Sequence, residues 1–353
     1  MGGGLLLVAL VSSAVSFGMA DPVSPRAITV APVILELTGP LNDPRAEVSG
    51  MTWKGDTLVI MPQNPTLFAG AGSMGFFAIH RSRILAAIDG TVEGPILPRQ
   101  VNCLATGMSR IVKGFDGLEA MGLIGDRCYM TVEAEEDTVM SSYLVSGKYD
   151  MVNNEVVMDM TKLTSIPMGL NIPNIAEESI VIDGGQVITI SEANGLNVNP
   201  SPVGKVFNTE IEFQGTIPFP QVEYRVTDAT EVGEDGRFWV INYYFPRERE
   251  KLNPAPDPEL ECFGDPQAYD PDVCVERLLE MRIVRTCLQG DFIARTDTPP
   301  VNLSLLLNGE CRNWEAVVRL GDMGFLMMTD EYPGTLLAFV PYDFASQKID
   351  QEK

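Results

Sequence analysis

Apolar positions along this chain come in short runs broken by Gly, Asp, Asn or Pro, and few windows keep the spacing of an amphipathic helix. Three of these stretches align without a gap. Ser49 to Asp56 leads into Thr57 to Gln63, Glu119 to Asp126 into Arg127 to Glu133, and Glu178 to Gly185 into Gln186 to Glu192. Two more align after one insertion or a short slip: Asp228 to Gly236 into Arg237 to Tyr243, and Glu315 to Asp322 into Met323 to Asp330. Each copy reads as two strands rich in Val, Ile, Leu and aromatics, joined at Gly-Asp, Gly-Gly or Asp-Gly. A second pair of strands is expected after the hairpin, for example Ser142 to Lys148 with Glu155 to Met160, and Lys205 to Phe213 with Phe219 to Arg225.

Four antiparallel strands per repeat is the composition of a propeller blade. The predicted fold is therefore all-β, a β-propeller of five four-stranded blades. The count becomes six if the gap from 49 to 119 or from 228 to 315 holds a degenerate blade. The last copy lacks a clear fourth strand, and Ile28 to Leu37 is a β-like segment without a partner of its own. This N-terminal strand is expected to complete the last blade and close the ring, which removes exposed edges.

Residues 2–20 carry no charge, Leu5 to Val11 are apolar, and Gly18 and Ala20 are small residues before Asp21. They read as a signal peptide over 1–20, although no Lys or Arg precedes the apolar run. The remainder is expected to be one propeller domain, 21–345, with a Pro- and charge-rich insertion at 246–275 and a polar tail at 346–353. No later segment reaches the ~18 apolar residues of a membrane span. A monomer exported to the periplasm or secreted is expected. Six cysteines suit that setting. Proximity favours Cys262 with Cys274, Cys103 with Cys128 and Cys287 with Cys311, though six cysteines allow 15 pairings. With one histidine and no CxxC, a zinc site has no ligand set. Asn302-Leu303-Ser304 is a glycosylation sequon, meaningful only in a eukaryotic secretory setting.

Asp and Glu number 48 against 25 Lys and Arg, a net charge of −23 that repels nucleic acid and favours cations. The repeat concentrates part of that charge. The copies open on Ser49, Glu119, Glu178, Asp228 and Glu315, which in a propeller ring the axis. Their second strands end on Gln63, Glu133, Glu192, Asn242 and Asp330, all with side-chain oxygens. A single acid at a strand start more often caps backbone N–H groups or faces solvent. Four aligned acids with a second aligned polar set point to a cation or substrate site. Like charges so close leave some of the carboxyls holding protons, or require a cation among them. Oxygen donors select a hard one, so Glu119, Glu178, Asp228, Glu315, Glu133, Glu192 and Asp330 are candidate ligands for Ca²⁺. Trp53, Trp239 and Trp314 read as core, with Trp314 a candidate ligand platform because it adjoins Glu315. His80 falls on an outer strand, away from the axis, and no GxSxG or P-loop is present.

Ser49-Gly-Met, Gly117-Leu-Glu-Ala, Glu177-Glu-Ser, Thr227-Asp-Ala and Asn313-Trp-Glu-Ala resemble the blade starts of the phytase-like family ("esterase-like activity of phytase") of bacterial β-propellers. Asn313-Trp-Glu315-Ala-Val followed by Phe-Leu-Met-Met-Thr-Asp330 is similar to that family's Asn-aromatic-Glu-Gly…Leu-Leu-Val-Ser-Asp signature. The resemblance covers roughly residues 45 to 340. Ala120, Ala316 and Thr329 depart from the family's usual Gly, Gly and Ser. The family's name implies phosphoester or ester hydrolysis. Two functions follow: a propeller that binds a small-molecule or protein ligand beside a structural cation, or a Ca²⁺-dependent hydrolase of phosphate or carboxylate esters. In the second, Glu119, Glu178 or Glu315 would be the general base.

Overall fold

The computed structural model describes residues 26–345, except 69–73, 151, 265–269, 271, 289, 305–308 and 331. The expected signal peptide and polar tail lie outside the described residues. The chain is all-β and of the propeller kind, and the inner strands of each set are built from runs buried on both faces. Strands β1 (Ile28–Val30) and β2 (Val33–Leu35) open the chain. Then come β3 (Val48–Lys54), β4 (Thr57–Pro62), β5 (Met74–His80) and β6 (Arg99–Leu104). A second set is β7 (Phe115–Ile124), β8 (Arg127–Glu136), β9 (Val139–Asp150) and β10 (Glu155–Ile166). A third is β11 (Glu177–Asp183), β12 (Gln186–Ser191), β13 (Val203–Asn208) and β14 (Phe213–Pro218). Next are β15 (Arg225–Ala229), β16 (Arg237–Tyr244), β17 (Val275–Val284), β18 (Phe292–Arg295) and β19 (Val301–Leu303). Last are β20 (Trp314–Arg319), β21 (Gly324–Thr329) and β22 (Leu337–Pro341).

Within each set neighbours in sequence pair antiparallel, apart from β18 and β19, which both pair with β17. The first two sets merge into one eight-stranded sheet because their outer strands β6 and β10 pair in parallel. In the three gapless copies the inner hairpin turns on two residues: Gly55-Asp56, Gly125-Asp126 and Gly184-Gly185. The first glycine of each sits at φ 59°, 60° and 60°, a left-handed conformation that glycine adopts without a Cβ penalty.

The first strands pack on one another in the order β3, β7, β11, β15, β20, and β20 packs back on β3. An apolar cluster fills each interval between successive sets. Alternation along β4 shows how. Val59 and Met61 face the second set with Cys128 and Met130, whereas Leu58 and Ile60 face the last set with Val318 and Leu326. Both faces of the strand are dry, so the sequence reads as a continuous apolar run rather than an alternating one. Each such side chain contributes roughly 1.5–3 kcal/mol on burial.

Two expectations about strands change. Ile28 to Leu37 forms two strands split around Ala31-Pro32. β1 pairs with β19, and β2 pairs with β22 beside the last set. The outer pair of the third set lies earlier than expected, because Asn208 turns the chain. Its Oδ1 accepts from the N–H of Glu210 and of Glu212, both at 2.9 Å. The stretch from Phe219 is then the link into β15 rather than a fourth strand.

Candidate functional site

Each first strand carries a register irregularity at the position where the repeat places its acid. Pairing skips Ser49 between Val48 and Gly50, Glu178 between Glu177 and Ser179, and Glu315 between Trp314 and Ala316. In β7 it skips Glu119 with Ala120, and in β15 Asp228 with Thr227. A bulge of this kind re-aims the extra side chain out of the ladder. All five are buried, from 2% exposure for Asp228 to 7% for Glu315.

Four of the five bulged residues, Ser49, Glu119, Glu178 and Glu315, line one cavity of about 310 Å³ at the end of the inner strands. Within it Glu119, Glu133 and Glu178 each bring a carboxylate oxygen within 4.8 Å of the others. Glu119 accepts from Gln63 Nε2 at 3.2 and 3.3 Å. Among the described residues no Lys or Arg forms an ion pair with any of these three carboxylates, and Glu133 Oε1 is buried without a hydrogen bond. Desolvation dominates their titration. It pushes Glu119 well above the usual carboxylate range, with Glu133 and Glu315 adding repulsion and Gln63 opposing. Glu178 rises for the same reason, with Glu119 and Glu315 as its repelling neighbours. Glu133 is pushed up to about 7 by burial and by Asp116, with Lys251 and Arg225 opposing.

Arg225 anchors the other side of the cavity. Its Nε donates to Glu192, its Nη2 to Glu315 Oε1 at 3.1 Å, and its Nη1 to Asn313 Oδ1 at 3.3 Å. Glu248 lies 3.8 Å from Nη1. Burial works against the guanidinium, but Glu315, Glu248 and Glu178 outweigh it and raise its pKa. Even so Glu315 stands at about 8, because desolvation exceeds the help from Arg225. Lys251 is lowered by desolvation and donates to Asn174 O at 2.9 Å.

The second predicted ring divides. Gln63, Glu133 and Asp330 line the cavity, Asp330 accepting from Asn313 Nδ2 at 3.0 Å. Glu192 lies outside the cavity lining, its Oε1 accepting from Arg225 Nε while its Oε2 is buried without a hydrogen bond, and Asn242 accepts from Arg277 Nε at 2.8 Å. Asp228 is also set apart. Its Oδ2 accepts from the Val317 N–H at 2.7 Å and so ties β15 to β20, with its pKa raised well above normal chiefly by burial. Sequence reasoning passed over Asp116 and left Arg225 outside the site. Both occur three residues before the repeat acid, so extending the alignment backwards finds them.

The oxygen-only set of Glu119, Glu133 and Glu178 fits a hard cation. An ion held at ~2.3–2.6 Å from each ligand spans oxygens up to about 5 Å apart. The orphaned Glu133 Oε1 is a donor atom such an ion would satisfy.

Other expectations are corrected. Cys274 is bonded to Cys311, with Cα atoms 5.9 Å apart, and not to Cys262. Cys262 and Cys287 are free and exposed, and Cys103 and Cys128 are free and buried, so none of the three expected pairings is present. The bond instead staples the end of the 246–275 insertion to the segment entering β20. Trp314 is no ligand platform: it is fully buried and donates Nε1 to Glu276 Oε2 at 2.7 Å. Trp239 stacks edge-on against Phe325 in the core. His80 ends β5 and caps the following helix, its Nδ1 accepting from the Ser82 N–H at 3.2 Å. No helix among the described residues is long and apolar enough to cross a membrane.

The chain matches no protein-family model and no curated protein, so the phytase-like resemblance rests on the short blade-start motifs. Solved structures similar over most of the chain include a glucose dehydrogenase at 13% identity, covering 84% of this chain and 97% of its own, with a TM-score of 0.43. The soluble aldose sugar dehydrogenase of Escherichia coli shares 12% identity over 89% of this chain and all of its own, also at 0.43. An α-L-arabinanase of Cellvibrio cellulosa shares 12% over 87% of this chain and 98% of its own, at 0.44.

Proposed function

We propose that this is an exported, five-bladed β-propeller, closed by β2, whose axial pocket holds one Ca²⁺ and binds a ligand beside it. The supporting observation is the meeting of Glu119, Glu133 and Glu178, buried, within 4.8 Å and without a basic partner among the described residues. At an effective dielectric near 20, two carboxylates ~4 Å apart repel by about 4 kcal/mol. A dication cancels that repulsion directly, and Glu315 and Asp330 border the same space. The remaining coordination positions would be filled by water or by ligand oxygens. Glu192 and Asp228 drop from the ligand set, since neither lines the cavity and one oxygen of each is taken by Arg225 or the Val317 N–H. The test is metal analysis of purified protein together with its melting curve in excess chelator. Bound calcium and a lowered melting temperature support the site. No metal and an unchanged curve would remove it.

A second reading, a Ca²⁺-dependent hydrolase of phosphate or carboxylate esters as the phytase-like resemblance implies, is favoured by one observation. Glu315, outside the three-carboxylate cluster, stands at about 8, where a general acid or base works near neutral pH. Glu119 and Glu178 are the other candidates. Calcium-dependent turnover of an aryl phosphate or aryl acetate distinguishes the two readings.

A further inference from the structure

A second cavity of about 420 Å³ opens beside the axial one and shares Arg225, Asn313 and Asp330 with it. That volume falls within the ~300–1,000 Å³ of small-molecule sites. Its walls are aromatic, from Tyr243, Phe245 and Tyr332. Tyr243 is 2% exposed, yet among the described residues its hydroxyl has no hydrogen-bond partner. Glu248 Oε2 is likewise buried without a hydrogen bond.

We infer that this vestibule is the ligand's subsite and that it takes a neutral saccharide ring. The inference rests on reading the axial end as a ligand site, and it names the ligand class. Charge argues against an anion. Arg225 is already engaged by Glu192 and Glu315, Arg247 lies over the Phe245 ring, and the lining sets two carboxylates, Glu248 and Asp330, against its two guanidiniums. A phosphate placed here would meet two carboxylates in a protein of net charge −23. The unmet groups are mixed instead: a carboxylate oxygen that needs a donor and a phenol that can do either. A hydroxyl both donates and accepts, so a ring bearing several satisfies both. Arg225 and Arg247 lie 5.7 Å from the Tyr243 and Phe245 ring centroids, so the half-exposed Tyr332 ring is the wall whose negative face is left to attract the positively polarised C–H face of such a ring. A ring seated here also points hydroxyls at the axial carboxylates through the shared wall of Arg225 and Asn313.

The test is a glycan array probed with the full chain, followed by titration of the best hit as its methyl glycoside, with and without calcium. Inorganic phosphate and phenyl phosphate form the anionic arm. At least one glycoside should bind. Y243F should weaken it about 5- to 10-fold, the worth of one hydrogen bond. Y332A, at a half-exposed wall tyrosine, should weaken it as much and guards against a folding defect in the first variant. Failure of every glycan, binding of phosphate in their place, or glycoside affinity untouched by both variants overturns the inference. A separate calcium titration keeps the two ideas apart. Calcium binding without glycan binding removes this subsite alone, whereas glycan binding weakened by Y243F, with no saturable calcium uptake in the separate titration, keeps the subsite and removes the cation.

Discussion

Gln63 donates its side-chain amide to both carboxylate oxygens of Glu119, at 3.2 and 3.3 Å. The first repeat thus supplies an amide and the Ser49 hydroxyl where the second, third and last supply acids, and one neutral donor faces the carboxylate cluster. One amide cannot neutralise three buried carboxylates. Gln63→Leu should therefore lower calcium affinity only modestly, about 3- to 10-fold, while further raising the Glu119 pKa. Calcium titration of the variant checks this.

Glu178→Gln separates repulsion from metal binding. In chelator the variant should melt at the same temperature as the parent or higher, because one charge has left the cluster. In calcium it should gain little, because a ligand has left too. Melting curves of both proteins in both conditions suffice, and a variant stabilised by calcium as much as the parent contradicts the assignment.

Asp228 gives the contrasting case. It accepts from the Val317 N–H, so Asp228→Asn keeps an acceptor there and should leave calcium affinity unchanged. Asp228→Ala orphans that buried N–H and should cost roughly 1–3 kcal/mol of stability. Equal loss of calcium affinity in both variants would return Asp228 to the ligand set.

Arg225 holds three acids in place, and Arg225→Met leaves them uncompensated. The expected loss is about 3–5 kcal/mol, seen in denaturant unfolding. The loss should shrink as pH falls and the freed carboxyls protonate. A pH-independent loss would mean that the side chain serves packing only.

The disulfide assignment is checked by peptide mapping without reduction. A Cys274–Cys311 peptide and an alkylatable Cys262 are expected. For a span of 37 residues, reduction should cost about 3–4 kcal/mol in the chain-entropy model.

How much of this was legible follows from what each feature depends on. The inner hairpins were, because a two-residue Gly turn fixes both the φ sign and the register at Gly55, Gly125 and Gly184. Glu119, Glu178 and Glu315 were located because each lies six residues before its turn glycine, and Asp228 by allowing an insertion before its own. Their fates were not. Whether Asp228 faces the axis or the Val317 N–H depends on how β15 docks against β20, a contact between residues far apart in sequence. The position of Arg225 is within reach of the alignment, but its role was hidden for the same reason, since its partners Glu192, Asn313 and Glu315 come from separated segments. The cysteine pairing failed because proximity in sequence favoured Cys262, while the fold carries the segment holding Cys311 back to Cys274.

The central claim is that a cation takes the place of protons among the axial carboxylates. In metal-free protein Glu133 at about 7 and Glu315 at about 8 lie above the unfolded value of roughly 4.3. A carboxyl raised on folding stabilises while protonated. Its contribution is complete below the unfolded value and disappears as pH rises through 7 to 8. Chelated protein should therefore lose a few kcal/mol between about pH 5.5 and 8.5, and calcium should restore more at the upper end. The direct measurement is isothermal titration of calcium into chelator-stripped protein at pH 7, in two buffers of different ionisation enthalpy. The account predicts one saturable site that releases about one proton or more per ion bound. No saturable heat, or binding without proton release and equally strong at pH 5.5 and 8.5, would contradict it.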